Sequence, residues 1–153
     1  MHILMNLLPM NPEKIGRILC VNDNDIMLFI LKQIIQKSNF GEDVVLKSNG
    51  SEALDYCRDL IRDNENYEEL YPRLIFLDLY MPEMDGWEFL DQFSSEIQPY
   101  FRETKVVITS QSVDGYEIER CRQYPFVVDF MSSAITTEYL EGLRNSLPER
   151  EAV

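Results

Sequence analysis

The chain has 153 residues, 45% of them apolar, with 14 basic against 27 acidic side chains and a formal net charge of −13. That length suits one domain with one core. The charge argues against nucleic acid, whose phosphates it repels, and against anionic membrane surfaces, and no apolar run is long enough to span a bilayer.

In chain order, the opening stretch "MHILMNLLPMNPEK" lacks a basic n-region and a small-residue cleavage site. It is expected to be a loose arm (1–14), or an upstream start chosen over Met5 or Met10, and not a signal peptide. A short apolar run at 17–22, "RILCVN", predicts a buried strand. The segment 25–37 has helical length and an apolar majority. A second strand is expected at 43–48. Asn49 and Glu52 have the spacing of a capping box and open a helix over 51–63. The polar stretch 63–72 reads as a helix extension or a surface loop. A third strand follows at 74–78. The helix 87–97 places Trp87, Leu90 and Phe93 on one side. A strand at 105–109, a helix at 114–124, a strand at 126–132 and a last helix at 136–147 complete the series. Thr136 and Thr137 are expected to cap that last helix, and Leu140, Leu143 and Leu147 to share a face. The domain is thus expected over 15–148, with a short tail at 149–153.

Five strands alternate with five helices, and the strands are near-continuous apolar runs. That pattern predicts an α/β fold, a doubly wound five-stranded parallel sheet with helices on both faces. Such sheets place functional groups at the carboxyl ends of their strands. Cys20, Cys57 and Cys121 are widely spaced in apolar or helical surroundings and read as reduced core residues. No pair has metal-ligand spacing, and the single His is His2.

The strand ends carry the chemistry. They present Asn22-Asp23-Asn24-Asp25, then Asp78, then Thr109-Ser110, then Ser132-Ser133-Ala134. In the predicted sheet Asp23 and Asp78 converge. Two carboxylates at close range raise each other's pKa, and a hard divalent cation such as Mg²⁺ relieves this. Asp78, at the tip of a rigid apolar strand, becomes a candidate metal ligand, nucleophile, or both. Asp25 is expected to serve the helix start and Asp23 the metal. The run "NDND" matches only the opening of a calcium loop, since no Gly or Glu follows at the required places.

The stretch "LIFLDLYMPEMDGWEFL", with "LCVNDND", "VVITSQS" and "FVVDFMSSAIT" in that order, resembles the response regulator receiver domain of two-component signalling, from about residue 17 to 147. The resemblance implies the flavodoxin-like, receiver-type version of the fold. It implies that Asp78 accepts a phosphoryl group from a histidine kinase or histidine phosphotransfer protein. It further implies that Mg²⁺ is held by Asp23, Asp78 and the backbone carbonyl of Tyr80, with Asn22 reaching it through a water. Ser110 would be the switch hydroxyl, preferred to Thr109 because "SQSVD" then aligns without a gap. Phe130 would be the aromatic that changes rotamer with it. Pro82 and Gly86 would shape the loop after Asp78, Gly86 by its backbone freedom. The face made by helix 4, strand 5 and helix 5 would be read by a downstream protein, in the cytoplasm.

Two departures from the family pattern bear on the site. Asn22 stands in for one acid of a pair. Ser133-Ala134 stands where the family has Lys-Pro, so Ser133 offers one neutral hydrogen bond in place of a cation. A trans bond is expected there, because a non-proline cis bond costs roughly 2.5–4 kcal/mol. The first reading is therefore a stand-alone receiver, a signalling module more than an enzyme. The alternative is a pseudo-receiver that binds partners without phosphorylation. A hydrolase with Asp78 as covalent nucleophile is a third reading; it wants a second Asp at the position of Tyr80.

Overall fold

The computed structural model describes residues 14–111 and 114–147. The expected arm, apart from Lys14, and the expected tail lie outside them. Five parallel strands form one sheet in the order β2-β1-β3-β4-β5: β1 Ile15–Val21, β2 Gly41–Lys47, β3 Leu74–Leu77, β4 Lys105–Thr109 and β5 Val127–Met131. The helices between them are α1 Asp25–Lys37, α2 Gly50–Asp63, α3 Gly86–Gln92, α4 Gly115–Cys121 and α5 Thr137–Ser146. The polar stretch after α2 folds into a single helical turn, Tyr67–Leu70, before the chain enters β3.

Two apolar layers cover the sheet. Leu28 and Ile35 of α1 and Leu140 and Leu143 of α5 pack on Ile18, Cys20, Leu74, Phe76 and Val107. Helices α2, α3 and α4 bury Leu54, Phe89, Leu90 and Cys121 against Leu19, Val21, Ile75, Leu77 and Ile108. Residues of β1 and β3 feed alternate layers, which is the period of a strand buried on both faces. All three cysteines are free and buried. Trp87, Leu90 and Phe93 are buried together, as their spacing predicts.

The helix starts follow from their caps. Asn49 accepts from the Glu52 N–H, while the Glu52 carboxylate accepts from the Ser48 N–H. Thr136 caps α5 by accepting from the Tyr139 N–H. For α1 the cap is Asn24, whose Oδ1 accepts from the Ile26 and Met27 N–H groups. Asp25 lies within the first turn, where its charge complements the helix dipole. The expectation that Asp25 serves the helix start holds in this form only.

Three features differ from the sequence pattern. Helix α3 widens after Gln92 into a π-helical turn, Phe93–Ile97, in which the Gln98 N–H reaches back to Phe93 O at 2.8 Å. Strand β5 is half exposed, because it is an edge of the sheet and has no strand beyond it. It also carries a bulge: Val106 pairs with Val127, but Val107 pairs with Asp129. Val128 is thereby left out of register, at 44% exposure. The extra residue places Val127 and Phe130 on the same face, where strict alternation would separate them.

Candidate functional site

The carboxyl ends of β1, β3, β4 and β5 surround a cleft of about 600 Å³. Its lining includes Asn22, Asp23, Asp78, Tyr80, Thr109, Ser110, Ser132, Ser133 and Ala134. The predicted site residues of four separate segments thus meet in one place. The parallel register explains it, since Val21 and Leu77 are paired neighbours and the next residues leave the sheet together.

Asp78 is the first residue past β3. Its N–H still donates to Val21 O at 3.0 Å, so the sheet's bonding holds it rigidly. Its side chain is half-buried. Burial pushes its carboxyl up from 3.8 to about 6, and the negative charge of Asp23 adds to the rise. Asp23 lies within hydrogen-bonding reach of Asp78, while the backbone N–H groups of Leu79 and Tyr80 pull the pKa the other way. The Tyr80 N–H to Asp78 Oδ1 distance is 3.4 Å. Uncompensated negative charge at two hard oxygen donors suits a divalent ion such as Mg²⁺. Among the described residues no cluster of three or more His, Cys, Asp or Glu side chains is placed to hold a metal, so further ligands would be carbonyl oxygens and water.

Asn22 sits beside this pair, but its Oδ1 accepts from the Asn24 N–H at 2.9 Å. One of its lone pairs is therefore committed to the turn that starts α1. Ser110 is buried, and its N–H bonds to Met131 O at 3.0 Å, which fixes it between β4 and β5. Phe130 is half-buried against the core layer of α2, α3 and α4, one residue before Met131. Ser133 and Ala134 line the cleft and are exposed, and among the described residues no peptide bond is cis. Among the described residues that line the cleft, none is basic.

The loop from Leu79 to Asp85 closes one side. Asp85 caps α3 through the Glu88 N–H, and the Gly86 N–H donates to Leu79 O at 2.8 Å. Pro82 is exposed within this loop. Gly86 has no positive φ, so backbone freedom is not its role; the left-handed residue here is Glu83, at φ 67°. Glycine is needed for close approach: a Cβ at 86 would lie 2.6 Å from Asp78 O and 2.7 Å from Leu79 Cα.

Two features escaped the sequence reading. Met27, Ile30, Leu31 and Ile34 of α1 form an apolar wall of the cleft. The signal was there: α1 has more apolar residues than one buried stripe requires. The second is a hydrogen bond from the exposed Tyr80 hydroxyl to the Glu117 carboxylate, linking the loop after Asp78 to α4. It holds the Tyr80 phenol up at about 12. Nothing in the sequence pairs these two residues.

The family profile described as the response regulator receiver domain matches residues 18–130. The chemotaxis protein CheY of Listeria monocytogenes is 35% identical over 80 residues, a match covering 52% of this chain and 58% of that protein. The chain thus spans less than two thirds of that relative's length. A two-component response regulator from Cytophaga hutchinsonii superposes with a TM-score of 0.77 at 26% identity, covering 88% of this chain and 98% of that one. The receiver domain of the histidine kinase CKI1 from Arabidopsis thaliana, solved in complex with Mg²⁺ and BeF₃⁻, has a TM-score of 0.66 at 25% identity, covering 84% and 85%. The match to the profile covers well over half of the chain, and the sheet order and strand-end cleft agree with it: the chain belongs to the response regulator receiver domain family of two-component signalling.

Proposed function

We propose that this receiver is switched by phosphorylation of Asp78, supplied by a histidine kinase or histidine phosphotransfer protein in the cytoplasm. The observation that carries the reading is the pairing of Asp78 with Asp23 at the tips of adjacent strands, with the Asp78 carboxyl pushed up to about 6. A carboxylate at that value is largely ionised at neutral pH and remains nucleophilic. In the transfer, an Asp78 oxygen forms the new O–P bond as the donor's N–P bond breaks, and the electron pair leaves with the imidazole. The product is an acyl phosphate. Asp23, Asp78 and the Tyr80 carbonyl would hold Mg²⁺, which spreads the charge of the transferring group when bound. Ser110, fixed between β4 and β5, would donate its hydroxyl to a phosphoryl oxygen, and Ser133 would offer a second one. Phe130 would follow Ser110 through the direct pairing of β4 with β5. The consequence would be read on the α4–β5–α5 face, where Tyr116, Ile118 and Val128 are exposed at 77%, 44% and 44%.

A second reading is a receiver that docks partners without phosphorylation. It is favoured by the cleft's lack of any basic lining residue and by the use of Asn22 Oδ1 within its own turn. Incubation with Mg²⁺ and acetyl phosphate, followed by intact mass measurement, separates the two. One added phosphoryl group that is absent in Asp78→Asn supports the first. An unchanged mass, with no Mg²⁺ binding by calorimetry, supports the second.

A further inference from the structure

The cleft is larger than its acidic floor requires, given about 30 Å³ for each water around an ion. The surplus is apolar. Met27, Ile30 and Ile34 form one wall, and Met131, Ala134 and Ile135 the opposite one. The wall continues outward onto an unpartnered helix face, where Ile26, Phe29, Ile30 and Met27 are exposed at 71%, 61%, 44% and 38%. Neither cation of α1 lines this space: Lys37 lies in the last turn, and Lys32 lines a separate depression with Asp25, Leu28 and Phe29. An apolar face of this kind on a helix marks a docking surface. Its floor is two carboxylates without a basic neighbour in the lining.

We infer that α1 and this cleft receive a partner's helix that carries a Lys or Arg on its apolar face, and that this side chain enters the cleft to meet Asp78 and Asp23. The stem would run between the two apolar walls and the charged head would end at the carboxylates, as amphipathic cations do. The net charge of −13 steers a basic partner toward this surface and disfavours a second copy of the chain. In its functional consequence the inference rests on the phosphoacceptor reading: the partner would supply in trans the cation that the cleft lacks for a phosphoryl group on Asp78.

The test uses the full chain, ¹⁵N-labelled, and two synthetic amphipathic helical peptides that differ only in one central residue, Lys or norleucine. The Lys peptide is expected to shift the amides of α1 together with those of Asp78 and Ser133, and to bind roughly tenfold more tightly than the norleucine peptide. Asp78→Asn with Asp23→Asn should erase the difference, and so should Ser133→Lys, which fills the cleft from within. Equal binding of the two peptides would overturn the inference, as would shifts confined to other faces. Spermidine shifting the cleft amides while neither peptide binds would also overturn it, in favour of a free polyamine. A Lys preference in a protein that never accepts phosphate would leave the docking site standing and remove the phosphoacceptor reading. Phosphorylation without that preference would do the reverse.

Discussion

At the scale of single residues, Asp78 carries a stability cost at neutral pH. Its carboxyl is raised from 3.8 to about 6, so the folded state binds this proton more tightly than the unfolded chain. The contribution is fully present below about 4 and is lost as pH rises to about 6. Asp78→Asn should therefore stabilise the protein at pH 7.5 by about 1 kcal/mol, after discounting for the solvent that reaches a half-buried group, and by almost nothing at pH 4. Urea unfolding at the two pH values measures this. Mg²⁺ favours the ionised pair, so it should raise the melting temperature at pH 7.5, much less at pH 5, and not in Asp23→Asn. Gly86→Ala drives a Cβ into the Asp78 carbonyl at 2.6 Å and should cost about 1–3 kcal/mol by the same urea measurement. The sequence named Asp23 and Asp78 because a carboxylate is unusual at the end of an apolar strand, and Gly86 through the family resemblance. It misjudged why Gly86 is there, since close approach between segments distant in space leaves no local signal. The Tyr80–Glu117 bond escaped for the same reason.

At the scale of elements, most of the chain was legible, and the exceptions share a cause. Strand β4 spans Lys105–Thr109 and α1 spans Asp25–Lys37, both as their patterns predict. The cap of α1 was misassigned within "NDND", because Asn and Asp cap equally well and only geometry separates Asn24 from Asp25. Asn24→Ala removes the acceptor of two N–H groups and should cost about 1 kcal/mol in thermal unfolding, while loosening Asp23 beside it. The bulge in β5 was invisible because edge strands tolerate irregular pairing that no hydrophobic period records. Deleting Val128 would remove the bulge and restore plain alternation, with Val127 and Phe130 two positions apart and both still facing the α2–α3–α4 layer. The expected outcome is that amide shifts caused by phosphorylation near Asp78 still reach α4.

At the scale of the whole molecule, the two core layers share β1 and β3, so neither can melt alone. Ile35→Ala on one side and Leu54→Ala on the other should each cost about 2–5 kcal/mol and still give a single unfolding transition by both near- and far-ultraviolet circular dichroism. The fold was legible from five alternating strands and helices. The cleft's lining at the strand ends was legible from what ends each strand. The apolar wall from α1 was not, because a helix's exposed face is set by what fails to cover it. The central claim is that Asp78 is the phosphoacceptor. It is tested most directly by treating the Mg²⁺-loaded protein with acetyl phosphate, reducing the product with borohydride, and mapping peptides by mass. Reduction converts an aspartyl phosphate to homoserine. The account predicts homoserine at position 78 alone. An unreduced Asp78, or homoserine at Asp23 in its place, would contradict it.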